Sequence, residues 1–222
     1  MRIDPAGYPF IGVALLAAVL VGSFSSWAYS APLFILAGFF LFFFRDPDRA
    51  VTDSPAVVLS PADGRVMVAG PVTQQTVPPG AWQQISIFLS PMDVHVNRIP
   101  VGGRVTTVRY HPGRFLPAFK AEAGDLNEYT EVAIDHFGQT IIFRQIVGIL
   151  ARRIVCRARE GDVVRAGDRF GVMKFGSRMD IFLPATATIR VKPDDKVVAG
   201  ITVIATLAGF DDPARREPAT AP

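Results

Sequence analysis

"VMKFGSRMDIFLP", residues 172–184, sets strand-forming side chains on both sides of a Gly-Ser pair. Val172, Phe175, Ile181 and Leu183 favour extended backbone, and Pro184 ends the run. Gly176 and Ser177 therefore stand inside an expected strand, where a glycine removes a side chain and adds backbone freedom. A bulge or a tight bend is one explanation. The other is that the peptide bond between Gly176 and Ser177 is itself a reaction site.

The surrounding chain reads as β from about Val57 onward. "VVLSPADGRVMVAG" alternates around a turn at Ala62-Asp63-Gly64, and "QQISIFLS" and "GGRVTTVRY" read as strands. "EVAIDHFGQTIIFRQI" reads as two strands joined at the His136–Gly138 turn, and "ATIRVK" and "TVIATLAG" as two more. A short helix is expected within 115–123 or around 149–155. "REGDVVRAGDRFGVMKF" carries Gly-Asp turns at Gly161-Asp162 and Gly167-Asp168 and leads into Met173-Lys174, a pattern similar to the hairpins of biotinyl and lipoyl carrier domains. The fold class is thus mainly β, a sandwich or barrel-like domain with carrier-like hairpins.

The N-terminal part is different. Pro9 to Phe44 contains no charged residue and splits into two apolar runs, "PFIGVALLAAVLVGSFSSWAY" and "APLFILAGFFLFFF". A spanning helix needs roughly 20 apolar residues. A secretory signal has an apolar stretch of about 7–15 residues after a basic start, whereas here a second apolar run follows at once. A retained helical hairpin is the better reading, with Trp27 and Tyr29 at its bend. Arg2, Arg45 and Arg49 then place both ends on the cytoplasmic side. The expected domains are an anchor at 1–50, a β-rich unit at 51–210 and a disordered polar tail at 211–222. As a mere tether, the anchor is expected to be dispensable: a chain starting near Asp46 should become largely soluble and still process itself.

Composition excludes some partners. The formal charge is +3, from 23 basic and 20 acidic residues, with no block of like charge to bind nucleic acid. Cys156 is the single cysteine, so no intrachain disulfide or cysteine metal cluster forms.

Candidate chemistry gathers in a few places. Asp63 sits at an Asp-Gly turn, an ordinary choice for a turn by itself. In "SPMDVHVNRIPVGG" alternation puts His95, Asn97 and Asp93 on one face of an extended segment. The chain has three histidines, and His95 alone lies in a polar group suited to acid–base work, while His111 and His136 stand in turn contexts. "NEYTE" adds Asn127, Glu128 and Glu131.

In order, "FFRDPDR", "SPADGRV", "SPMDVHVNRIPVGG", "YHPGRFLPAF", "NEYTEVAI", "QIVGILARRIVC" and "KFGSRMDIFLP" resemble the short bacterial form of the phosphatidylserine decarboxylase proenzyme family. The resemblance implies a pyruvoyl-dependent decarboxylase at the cytoplasmic face of the bacterial cell membrane, with no metal and no diffusible cofactor. It implies cleavage at the Gly176 carbonyl into a large chain, 1–176, and a small chain, 177–222, which stay together as a heterodimer. Ser177 would become the covalent pyruvoyl group and form a Schiff base with the amine of phosphatidylserine, giving phosphatidylethanolamine and carbon dioxide. Longer family members use an Asp-His-Ser arrangement for processing. Asp63 and Ser177 match its ends, His95 matches the first of two family histidines, and Arg98 stands where the second would be. The base is therefore open, and His95 is available for processing, decarboxylation or both. The oligomeric state is open too. The alternatives are a membrane-tethered carrier-like module modified at Lys174, and a tethered β scaffold without chemistry.

Overall fold

A computed structural model describes residues 2–52, 54–72, 74–77, 79–149, 154–174 and 176–210. The expected tail lies outside them.

The apolar front is a helical hairpin closed by a clasp. Strand β1 (Arg2–Ile3) leads through a single turn into helix α1 (Tyr8–Phe24); helix α2 (Trp27–Phe43) returns to strand β2 (Arg45–Asp46), which pairs antiparallel with β1. Asp4 starts the first turn by accepting from the Ala6 N–H at 2.9 Å, and Ser26 accepts from the Ala28 N–H to start α2. Small residues make the seam: Ala14, Ala18, Gly22 and Ala37 are buried, and Gly22 lies against the Trp27 ring. Large apolar side chains, among them Val13, Leu16, Phe24 and Ile35, point outward. A helix apolar on nearly all sides suits a lipid environment better than water. Residues Pro5–Phe24 are long and apolar enough to cross a membrane by length and composition; α2 is shorter.

The rest is mainly β, as expected. Along the chain run β3 (Val57–Leu59), β4 (Gly64–Pro71), β5 (Trp82–Leu89), β6 (Val96–Arg98), β7 (Gly103–His111), β8 (Tyr129–His136), β9 (Gln139–Ile146) and β10 (Ile154–Cys156). They continue as β11 (Val163–Val164), β12 (Arg169–Met173), β13 (Ser177–Pro184), β14 (Thr188–Ile189), β15 (Lys196–Val197) and β16 (Val203–Thr206). The large antiparallel sheet has the order β11-β7-β8-β9-β13-β5-β4-β15, and two small sheets have the orders β10-β12-β6 and β14-β16-β3. Val66, Ile87, Leu89, Ile134, Phe143 and Ile181 from the large sheet meet Val58, Phe170, Met173 and Ile204 from the small ones in one core. The β8–β9 turn is where the sequence placed it, with Phe137 at φ +50° and Gly138 at φ +84°, the paired left-handed residues a two-residue hairpin needs.

Three local expectations change. Residues 172–184 are two strands in different sheets: β12 ends at Met173, β13 begins at Ser177, and Gly176 between them has φ +76°. The Gly-Ser pair thus marks a corner, which glycine turns without a Cβ penalty. In the His95 segment the regular strand is Val96–Arg98, so His95 itself precedes it. The short helix α3 is Ala123–Leu126, at the end of the expected region; at the alternative place, Ile154–Cys156 is strand and 150–153 lie outside the described residues.

The anchor is also more than a tether. Phe43 and Phe44, fully buried, pack with Val94, Val96 and Val172 of the β domain. Arg157 pairs with Asp4 at 2.7 Å, and Arg98 and Arg169 both reach Asp46. The hairpin base is part of the domain's own packing.

Candidate active site

Strand register places the candidate residues at one end of the large sheet. Tyr129, Ile146, Arg178, Phe88 and Arg65 lie opposite one another across β8, β9, β13, β5 and β4. Beyond that row come Asp63 before β4, the 90–95 segment after β5, Gly148 after β9 and the Gly176-Ser177 corner before β13. Strands lie about 4.8 Å apart, so β4 and β13, with β5 between them, stand roughly 10 Å apart.

Ser177 is fully buried on the face of β13 that carries Met179, Ile181 and Leu183, all in the core. Its Oγ has no hydrogen-bond partner among the described residues. A buried hydroxyl left unpaired costs about 1–3 kcal/mol, so the position is held at a cost to stability. The Gly176 carbonyl packs on Gly148: a Cβ at Gly148 would stand 2.3 Å from that oxygen. Gly148 was not singled out from the sequence, although it lies in the "QIVGIL" stretch.

His95 is 1% exposed, stacked on Phe43 with 4.0 Å between ring centroids. Its Nδ1 lies 2.9 Å from the Asp93 carbonyl, which accepts and so places the proton on Nδ1. That leaves the lone pair on Nε2, which has no partner among the described residues. Burial pushes the imidazole pKa down to about 4, against the opposing pull of Asp93. The ring is neutral at pH 7 and has a free basic nitrogen. The His95 carbonyl accepts from the Met173 N–H at 3.3 Å, which fixes this segment beside the end of β12, just before the corner.

Asp63 is engaged elsewhere. It accepts from Arg49 at 2.9 Å on one oxygen and from the Ala199 N–H at 2.8 Å on the other. A cavity of about 500 Å³ is lined by Asp63, Phe88, Ser90, Asp93 and Lys196. Asp63, His95 and Ser177 share one end of the sheet but are not joined by hydrogen bonds. Arg98 points away from them: it donates to the Pro47 carbonyl at 2.8 Å and the Gly167 carbonyl at 3.0 Å, and ties Asp46 to the core. It serves the hairpin clasp.

Two amides complete the surroundings. Gln145 faces the core opposite Met179, which makes it the diagonal neighbour of Ser177 on the same face. Its Nε2 donates to Asn97 Oδ1 at 2.9 Å, while Gln145 Oε1 and Asn97 Nδ2 are buried without partners among the described residues. Gln145 escaped sequence reasoning, yet a signal was present: in "TIIFRQI" it takes the third place of an otherwise apolar face after Ile141 and Phe143. On the other face of β13, Arg178 pairs with Asp180 at 2.6 Å and Arg144 with Glu131 at 2.7 Å. Compensated buried charges of this kind fix geometry more than they add stability. Lys174, the carrier candidate, lies 4.7 Å from the Phe10 ring centroid of the hairpin. Among the described residues no cluster of His, Cys, Asp and Glu fits a metal ion.

The phosphatidylserine decarboxylase family model matches residues 36–205. A phosphatidylserine decarboxylase proenzyme of Symbiobacterium thermophilum is 44% identical over 203 residues, covering 90% of this chain and 94% of the relative. One of Chlorobium chlorochromatii is 48% identical over 78% of this chain and 81% of its own length. One of Chlorobium limicola is 41% identical over 91% and 99%. With a family model spanning most of the β domain and the last part of the anchor's second helix, and relatives matched over most of both chains, the chain belongs to the phosphatidylserine decarboxylase family.

Proposed function

We propose that this chain cuts itself between Gly176 and Ser177 and then decarboxylates phosphatidylserine to phosphatidylethanolamine at a membrane surface. The observation that carries the reading is the corner itself: a buried serine hydroxyl without a partner among the described residues, next to a glycine at φ +76°. Family membership supports the decarboxylase role.

In processing, Ser177 Oγ adds to the Gly176 carbonyl carbon. The C–N bond then breaks and leaves an ester with a free amine on residue 177. Loss of the Cα proton expels Gly176 as a carboxylate, with Oγ retained on it. The resulting dehydroalanine becomes an imine, and water displaces ammonia to leave a ketone. A neutral base is needed to take the hydroxyl proton, and the candidate is His95, whose carbonyl bonds the Met173 N–H four residues before Ser177 and whose buried Nε2 has no partner among the described residues. Gly148 leaves room for the carbonyl to move as its carbon becomes tetrahedral.

The pyruvoyl group so made supplies an electron-withdrawing carbonyl that lets carbon dioxide leave. The chain's own residues do the rest. The corner fixes where residue 177 stands, the buried side chains around it exclude water, and His95 and the Asn97–Gln145 pair offer proton and hydrogen-bonding groups. After cleavage β13 remains hydrogen-bonded between β9 and β5, which favours a stable pair of chains, 1–176 and 177–222. The apolar hairpin supports attachment to the membrane, with the β domain on the cytoplasmic side by its flanking arginines. Packing of Lys174 against the hairpin base weighs against a carrier role, which requires a lysine free to swing.

Mass spectrometry of the purified protein tests this directly. Two chains are expected, with the small one beginning in a ketone, and they should release carbon dioxide from phosphatidylserine. An intact chain with added mass on Lys174 would instead establish the carrier reading.

A further inference from the structure

The end of the sheet that carries the Gly176-Ser177 corner also carries exposed apolar side chains. Met92 is 63% exposed and Phe119 62%, with Phe115 and Ile149 also exposed. They sit around the corner, not at random. Ala118 and the Gly176 carbonyl both pack at Gly148, beside Ile149, and Phe119 meets the Phe88 ring edge-on at 6.1 Å. Met92 is tied to the hairpin base, because its carbonyl accepts from Arg45 at 2.7 Å, and Arg45 lies over the Phe42 ring. On the other side Lys174 touches Phe10 of α1. The apolar surface of the hairpin therefore continues around the corner into the 112–122 segment.

The charges on that segment have a sign. Arg114 and Lys120 flank Phe115 and Phe119, and all four are exposed; Glu122 is the one acidic residue in 112–122. Aromatic rings between cations fit the boundary of a bilayer that carries anionic lipid, where the ring enters the headgroup layer and the cation meets phosphate or carboxylate.

We propose that Phe119, with Phe115 and Met92, forms a second membrane contact, which seats the Gly176-Ser177 corner against an anionic lipid surface. This rests on the reading of the chain as an enzyme of membrane lipid. The hairpin fixes the domain to the bilayer, and the second contact fixes its tilt. A lipid headgroup then meets the corner without leaving the membrane.

The test is a depth measurement on the full chain in vesicles of phosphatidylserine and phosphatidylcholine. A nitroxide label is placed at Phe119→Cys or at Phe137→Cys, each with Cys156→Ser. Phe137 is 77% exposed and sits at the opposite end of the same sheet. Dissolved oxygen should relax the label at 119 better than a water-soluble nickel chelate does, and the label at 137 should show the reverse. Equal, water-like behaviour at both positions overturns the proposal, and so does dipolar broadening between 119 labels on separate chains, which would assign that surface to a second copy of the chain. Phe119→Asp should also lower the ratio of the rate on vesicle lipid to the rate on detergent-dispersed lipid by at least about tenfold; an unchanged ratio counts against the contact. Label depth is read without turnover, whereas failure of the enzyme reading would appear as an uncut, inactive chain.

Discussion

The Phe43 ring is stacked on the His95 imidazole, so a side chain of the apolar hairpin forms one wall around a buried base. Asp93 and Arg45 are the charged neighbours that act on that base. The packed end of β12 adds the Met173 N–H, which bonds the His95 carbonyl. Replacing Phe43 by Leu should admit water and move the His95 pKa from about 4 towards its ordinary value near 6.5. The acid limb of the decarboxylation rate should move up in pH with it, and Phe43→Trp should restore the original limb. A limb that stays in place in the Leu variant would deny the ring this role.

The same burial makes stability depend on pH. His95 has a lower pKa folded than unfolded, so the unfolded chain binds the proton first. The stabilisation is complete above about pH 6.5 and is lost as pH falls towards 4, by on the order of 3 kcal/mol. Denaturant melts at pH 7 and pH 4.5 should show this loss, and His95→Gln should remove that part of it.

Ser177→Ala should leave an uncut chain without decarboxylase activity, and Ser177→Cys should cut slowly. His95→Gln should lower processing or decarboxylation by about 10²–10⁴-fold, the usual worth of a general base. Gel separation and release of labelled carbon dioxide read the two steps independently. Normal cleavage of Ser177→Ala would remove the corner from the mechanism.

Gly148→Ala brings a methyl to 2.3 Å from the Gly176 oxygen, so backbone must shift. Overpacking of this kind costs about 1–3 kcal/mol. Slower cleavage is expected together with a lowered melting temperature. At Gly176, by contrast, no atom of the described residues outside its own chain neighbours stands within 4 Å of an added Cβ. Gly176→Ala should therefore act through backbone strain alone, at about 1–3 kcal/mol.

A chain beginning at Asp46 loses Phe43 and Phe44, two of the largest fully buried side chains. Removing a buried aromatic costs about 3–5 kcal/mol. Such a chain should aggregate or cut poorly. Shortening only the far end of the hairpin, around Phe24–Tyr29, should spare both folding and cleavage. Pulse-chase of the two forms distinguishes them.

Period-two patterning with Gly and Asp turns located most of the long strands, because those signals are local. The hairpin was legible for the same reason: two uncharged runs meet at a serine-rich break. What was not legible was contact between distant segments. Nothing in residues 39–44 says that Phe43 covers His95, and "VMKFGSRMDIFLP" does not reveal that its halves join different sheets. Gln145 faces Met179 of β13 and Gly148 meets the Gly176 carbonyl just before that strand, both some thirty residues later in the chain. The candidate serine and histidine could be named from the sequence, but their burial and missing partners required the fold.

Strand β13 has a neighbour on each side, and both belong to the part of the chain before residue 177. On the proposed cleavage, the shorter piece would become a central rung of a sheet it no longer belongs to covalently. Folding would come first, as one molecule, and unfolding after the cut would separate two. Recovery would then need an encounter between two molecules, with a yield that depends on dilution. The working lifetime of such a cut protein would be set by how slowly it opens, a kinetic safeguard.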